Sequence, residues 1–151
     1  MVEKMISGGQ TGVDRAALDV GLALNLPVGG WCPKGRRAED GVIPDRYPLL
    51  ETPEPDYETR TRRNVEDSDG TLILNWSPLD GGTALTVELA QQMGKPYWVI
   101  ALEDEFDQTA FQAWLDANQI NTLNVAGPRE SKRQGVYDAA CRCLESLLRF
   151  R

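Results

Sequence analysis

Histidine is absent from the 151 residues. No Ser–His or Cys–His couple can therefore form within this chain, and zinc or another imidazole-seeking metal finds few ligands. Any proton transfer falls to Asp, Glu, Lys, Tyr or Cys. Cysteine is scarce: Cys32, Cys141 and Cys143 are irregularly placed and read as reduced thiols, not as a disulfide framework. Long apolar runs are lacking too. Stretches such as Trp98-Val99-Ile100-Ala101-Leu102 fall far short of a bilayer span. Basic residues are outnumbered, and a net charge of −7 disfavours nucleic acid or an anionic membrane as the main partner, although a local cationic patch could still hold a small anion. Met1 runs straight into Val2-Glu3-Lys4 with no readable signal peptide, so a cytoplasmic protein is expected.

What is present is an ordinary globular balance, 41% hydrophobic and 26% charged, at a length that suits one domain over residues 1–151. Strand and helix patterns alternate. Strands are expected at 4–7, 27–31, 70–75, 96–102 and 122–126, with those at 70–75 and 96–102 buried. Helices are expected at 12–25, 57–67, 82–93, 107–118 and 135–150. Residues 33–55, rich in Pro, Gly and charge, read as a long loop. The alternation predicts an α/β fold: a three-layer αβα sandwich with a mainly parallel five- or six-stranded sheet.

Three strand-to-helix loops should then meet at the carboxyl edge of the sheet, where ligands of such folds bind. The first is Ser7-Gly8-Gly9-Gln10-Thr11-Gly12, followed by Val13, Asp14 and Arg15. The second runs from Asn75 through Trp76, Ser77 and Asp80 to Gly81-Gly82-Thr83, and the third is Gly127-Pro128-Arg129-Glu130-Ser131. Lys34, Gly35 and Arg36 follow the second strand. Glycines let a ligand approach the backbone, helix amino ends favour an anion, and Thr11 and Thr83 can cap their helices or donate to phosphate. The pattern points to a phosphate-bearing small molecule. Any single Gly-Gly turn is equally served by a plain strand-to-helix connection, and neither loop fits G-x-G-x-x-G or G-x-x-x-x-G-K-[ST]. On this reading, a bulky residue at Gly9 or Gly82 should weaken binding more than folding.

Other positions have two readings each. Arg62 suits a solvated face with Glu58 and Glu66, whereas Arg60 or Arg63 could reach a ligand or a second subunit. Glu88 is a surface carboxylate or, beside a bound nucleotide, a candidate catalytic acid or base. Cys141-Arg142-Cys143 is a poor metal pair, because positions two apart on a helix face differently, and no metal site is expected. Cys32 could edge the site. Trp98, Phe111 and Trp114 read as core, as do Trp31 and Trp76 by default, although either of the last two could cover a flat ring.

The blocks Ile6-Ser7-Gly8-Gly9-Gln10-Thr11-Gly12-Val13-Asp14-Arg15-Ala16, Gly29-Gly30-Trp31-Cys32-Pro33-Lys34-Gly35-Arg36 and Leu123-Asn124-Val125-Ala126-Gly127-Pro128-Arg129-Glu130-Ser131 are similar to those of the molybdenum cofactor carrier family, and shorter matches extend the likeness over nearly the whole chain. The resemblance implies a Rossmann-like fold related to the lysine decarboxylase-like phosphoribohydrolases. It implies homo-oligomers, dimers or tetramers, and binding of molybdenum cofactor (molybdopterin) for protection and delivery to molybdoenzymes. The hydrolase relatives carry P-G-G-x-G-T-x-x-E. With its first glycine on Gly81, the acid falls on Glu88, while Asp80, Ala84 and Leu85 replace a proline, a glycine and a threonine. A carrier of an anionic pterin, a nucleotide 5′-monophosphate phosphoribohydrolase and a nucleotide-sensing module are therefore the competing expectations.

Overall fold

The chain enters a central sheet at once, because Met5 and Ile6 are apolar and flanked by turn residues. The computed structural model describes residues 1–76 and 78–149, so Ser77 and Phe150 of the expected elements lie outside the described residues. Strand β1 (Lys4–Ile6) leads into helix α1 (Val13–Ala23), then β2 (Val28–Gly29). After an excursion through β3 (Trp31–Cys32), β4 (Arg37–Ala38), β5 (Gly41–Val42) and β6 (Leu50–Glu51) come α2 (Tyr57–Asp67), β7 (Gly70–Asn75) and α3 (Gly81–Gln92). The chain closes with β8 (Tyr97–Ala101), α4 (Gln108–Ala117), β9 (Thr122–Ala126) and α5 (Val136–Leu148).

Five strands form one all-parallel sheet in the order β2-β1-β9-β7-β8, as the alternation predicts. Helix α1 packs on α5, and α4 also contacts α5; α2 and α3 pack together on the opposite side. The result is a Rossmann-like sandwich. Its core joins Met5, Leu72, Leu74, Leu123 and Val125 of the sheet to Ala16, Ala17, Val20, Leu144 and Leu147 of α1 and α5. Strand β7 is buried at all six positions, as expected of a parallel strand covered on both faces. Strand β8 is not: it is the sheet edge and is half-buried at four of its five positions. Trp98 packs edge-on against Phe111 and Trp114, with ring centroids 6.5 and 5.6 Å apart.

The stretch expected as a loop, 33–55, is an ordered excursion. Strand β3 pairs with β6, and β4 pairs with β5 as a tight hairpin. Ile43, Tyr47 and Leu49 form a small second core with Cys32 and with Leu18 of α1. Arg36 organises the segment. Its guanidinium donates to the carbonyls of Ile43 (3.1 Å), Pro44 (2.8 Å), Tyr47 (2.9 Å) and Leu49 (3.3 Å). The Pro44 and Tyr47 carbonyls also accept turn bonds from Tyr47 N–H (3.2 Å) and Leu49 N–H (2.8 Å), and the cation adds a second donor to each and ties the two turns together.

Candidate functional site

The helices that follow adjacent strands β9 and β7 leave for opposite faces of the sheet, which opens a crevice at their carboxyl ends. A cleft of about 230 Å³ lies there. Asn124 to Gly127 line its floor, Tyr57, Arg60, Thr61 and Asn64 of α2 form one wall, and Gly82, Thr83 and Thr86 of α3 form the other. Gly8, Gln10, Arg129 and Lys132 reach it from the neighbouring loops.

The amino end of α3 is the most receptive part. Asp80 occupies the cap position but makes no side-chain cap bond, and its Oδ2 instead accepts from Arg133 at 3.3 Å. The first backbone bond into this turn is Ala84 N–H to the Asp80 carbonyl at 3.1 Å. Among the described residues, no acceptor faces the Gly82 and Thr83 N–H groups, nor does the Thr83 hydroxyl have a partner although the residue is only 5% exposed. The Lys132 ammonium stands over the same helix end, with Nζ 2.7 Å from where a Cβ on Gly81 would lie. A cation at the positive end of a helix is unfavourable unless an anion stands between them.

Arg60 closes the opposite wall. Its Nη1 donates to the Gly8 carbonyl at 2.8 Å and to Asp14 Oδ2 at 3.3 Å. Asp14 is buried, and that burial raises its pKa against the lowering pull of Arg60, the Gln10 N–H and Arg15. The Tyr57 ring lies beside two guanidinium groups, Arg37 at 5.2 Å and Arg60 at 5.3 Å. Asn64 serves the fold: it exchanges two hydrogen bonds with the Trp31 backbone, at 2.8 and 3.0 Å. Asn124 is the polar group of the floor, and its Nδ2 donates to Thr71 at 3.2 Å.

The three glycine-bearing loops do meet at this edge, but they are not equivalent. In the first loop several N–H groups are engaged by the protein itself. Gln10 N–H donates to Asp14 (3.3 Å), Thr11 N–H to Gln10 Oε1 (3.0 Å) and Val13 N–H to the Pro128 carbonyl (3.2 Å). Gly12, with φ +79°, is the residue that lets the loops touch: a Cβ there would fall 2.4 Å from the Pro128 oxygen. Neither threonine acts as the cap; those positions belong to Gly12 and Asp80.

Of the residues expected to bind, Gly8, Gln10, Gly82, Thr83 and Arg129 line the cleft. Gly9, Thr11, Gly12, Arg15, Asn75, Gly81 and Ser131 lie near this edge but outside the lining. Arg15 is held by the Gly9 carbonyl at 3.0 Å and by Asp40, also at 3.0 Å. Lys34 and Gly35 are exposed on the excursion, and Arg36 is engaged inside it. Glu88 is exposed on α3 and does not line the cleft. Arg62 pairs with Glu58 at 3.6 Å, Arg63 lies over the Trp31 ring at 5.0 Å, and Cys32 is buried in the small core. No group of three or more Cys, Asp and Glu is placed to hold a metal ion among the described residues. A second, shallower cleft beside α1 and α5 is organised by Asp19, whose two oxygens accept from Tyr47 at 2.6 Å and Tyr137 at 2.5 Å.

One contact ties the excursion to the site edge. Glu39, at the tip of the β4–β5 hairpin, accepts from the Thr11 hydroxyl, from the Ser131 N–H (3.2 Å) and from the Ser131 hydroxyl (2.5 Å). Arg129 Nε stands 3.4 Å from its other side, buried and without a hydrogen bond. Partial burial would raise the Glu39 pKa, but the Ser131 and Thr11 bonds and the Arg129 charge more than offset it and hold it below the ordinary 4.5.

Sequence reasoning passed over Asn124, Thr86 and Lys132 of the cleft. Asn124 sits mid-strand with no motif to mark it. Lys132 follows Ser131 directly, and a cation one residue beyond a recognised loop is a signal that was there to read.

Comparison with known proteins agrees with this architecture. Residues 5–148 match the model of the "Circularly permutated YpsA SLOG family". The fold superposes on the crystal structure of a protein named "Putative molybdenum carrier protein" from Syntrophus aciditrophicus SB, with a TM-score of 0.93 and 47% identity over 97% of this chain and 95% of that one. No curated protein sequence matches the chain significantly. With a family model spanning nearly every residue and a close full-length structural relative, the chain belongs to the circularly permutated YpsA family of SLOG proteins.

Proposed function

We propose that this protein binds and carries an anionic pterin, the molybdenum cofactor, with the cofactor's phosphate at the amino end of α3. The observation that carries this reading is the α3 terminus itself. Gly82 and Thr83 present N–H groups without acceptors among the described residues, the buried Thr83 hydroxyl faces the cleft, and Lys132 stands above with its positive charge. Arg60 and Arg129 stand at the walls, already beside Asp14 and Glu39, which leaves Lys132 as the cation at the α3 end; Gly8 and Gln10 close one side, and Asn124 supplies a polar floor for a ring edge. The name of the similar protein from Syntrophus aciditrophicus supports the choice of cargo. Molybdenum would remain on the cofactor's own dithiolene sulfurs and needs no protein ligand here.

The cleft, at about 230 Å³, is smaller than the roughly 300–1,000 Å³ of sites that enclose a whole drug-sized ligand. Part of the pterin would stay outside, where a second copy of the chain covers it. The proposal therefore includes a cytoplasmic homo-oligomer that hands its cargo to molybdoenzymes. Glu88 has no part in it. Equilibrium titration with purified molybdopterin, followed by its absorbance or fluorescence, should show saturable binding. No saturation by a demonstrably folded protein overturns the proposal, and release of base from nucleoside 5′-monophosphates would replace it with hydrolysis.

A further inference from the structure

Resting on that reading only for the phosphate position at the amino end of α3, we propose that Thr11, Ser131 and Arg129 form a second anion subsite, which Glu39 fills in the free chain and the second phosphoryl group of a diphosphate-bearing ligand fills in the complex. Two hydroxyls, one backbone N–H and a guanidinium converge on the two oxygens of a single carboxylate. That donor set is the one phosphoryl oxygens take elsewhere. Arg129 belongs to both places: it lines the α3 cleft and it flanks Glu39. Its fit to Glu39 is imperfect, because Nε is buried within ion-pair distance yet makes no hydrogen bond, while the side chain as a whole is 38% exposed.

The internal occupant is attached so that it can leave. Glu39 and Asp40 form the tip of a hairpin whose strands β4 and β5 carry no buried residue. The tip is tied down by two polar contacts, Glu39 N–H to Gln10 Oε1 at 2.8 Å and Asp40 to Arg15 at 3.0 Å, with no apolar packing of its own two residues. Arg37 on β4 stacks over Tyr57, a residue of the cleft wall, so the hairpin bridges the α2 wall and the Ser131 loop. A carboxylate carries one negative charge. A terminal phosphoryl group carries more charge and a third free oxygen, and it competes for the same donors. When it enters, Glu39 swings out and the hairpin lifts from Tyr57.

Calorimetric titration of the full chain with inorganic pyrophosphate and with orthophosphate, at fixed ionic strength, tests this. Removing a charged competitor from a charge-assisted set should let E39Q bind pyrophosphate roughly tenfold more tightly than the unaltered protein. Orthophosphate, which reaches only the α3 end, should change much less. D40N loosens the same tip but leaves the cradle filled, and it should show no gain. Equal or weaker pyrophosphate binding by folded E39Q, an equal gain in D40N, or no binding of either anion by any variant overturns the inference. If E39Q does not fold, S131A decides: it should lose the preference for pyrophosphate over orthophosphate, and retention of that preference is the adverse result. Saturable molybdopterin binding without an E39Q gain defeats this inference alone. A gain without molybdopterin binding defeats only the pterin reading.

Discussion

Arg60 shows how one guanidinium can serve a fold and a cleft together. It neutralises a buried carboxylate, Asp14, and holds the Gly8 carbonyl while facing the cavity. Arg60→Met leaves Asp14 buried without its partner, and breaking such a pair typically costs about 3 kcal/mol. The pH dependence follows from the direction of the Asp14 shift. A carboxyl whose folded pKa is raised above the ordinary 3.8 contributes stability that is complete below that value and lost as pH rises through the folded value. Removing Arg60 raises the folded value further. Urea denaturation should therefore show a larger deficit for R60M at about pH 8 than at about pH 5, and an equal deficit at both would deny the pairing. Two glycines separate in the same way. Gly9 has φ +78°, and a Cβ there would fall 2.5 Å from Leu49 Cδ1, so Gly9→Val should cost about 2–3 kcal/mol in stability. Gly82 has open space around it, so Gly82→Val should fold normally and lose phosphate at the α3 end. The expectation that both substitutions weaken binding before folding stays a prediction for Gly82, where an added side chain meets nothing, and is withdrawn for Gly9, whose crowding neighbours Ile43 and Leu49 lie far away in sequence. Equal melting temperatures for G9V and the unaltered protein would contradict this.

At the scale of elements, the hairpin β4–β5 loses its tip contacts in acid. Burial works against the ionised form of Glu39, but its bonds from Ser131 and Thr11 prevail, and the Arg15 contact lowers Asp40. Groups with depressed folded pKa stabilise above their ordinary values, 4.5 and 3.8, and that contribution disappears as pH falls through the folded values. The melting-temperature deficit of the E39Q/D40N double variant should be constant between about pH 6 and 8 and vanish towards about pH 3. A deficit that persists unchanged at the acid end refutes the assignment. The major elements were legible because helical and buried-strand patterns repeat over several turns: α2 stands where the polar pattern places it, and β7 is as buried as Thr71-Leu72-Ile73-Leu74 suggests. Two-residue strands have no period to read, so β3 to β6 were invisible. The order of the excursion depends on contacts between residues far apart in sequence, such as Tyr47 with Asp19 of α1 at 2.6 Å. The site was legible as loops and glycines, since those are local. Which loop keeps its N–H groups available was not, because Pro128, Gln10 and Asp14 engage the first loop only once the chain has folded.

For the whole molecule, a net charge of −7 surrounds a cleft with Arg60, Arg129 and Lys132 on its walls. Anion binding should weaken as salt screens those three cations, and a titration insensitive to ionic strength would argue against charge as the attraction. A ligand bound only by the native state at one hundred times its Kd adds about 2.7 kcal/mol. For a chain of this size that corresponds to a rise in melting temperature of roughly 5–10 °C. A scan with molybdopterin and inorganic phosphates should show such a rise, abolished in G82V; the same shift in that variant would relocate the site. The four-carbonyl grip of Arg36 has a further implication. Since one planar side chain gathers four carbonyls between residues 43 and 49, the inheritance of that turn leans heavily on a single codon, and lysine cannot substitute for it. Outside that codon, the small core and the Glu39–Asp40 tip, the segment is open to rewriting while the sheet beneath stays untouched.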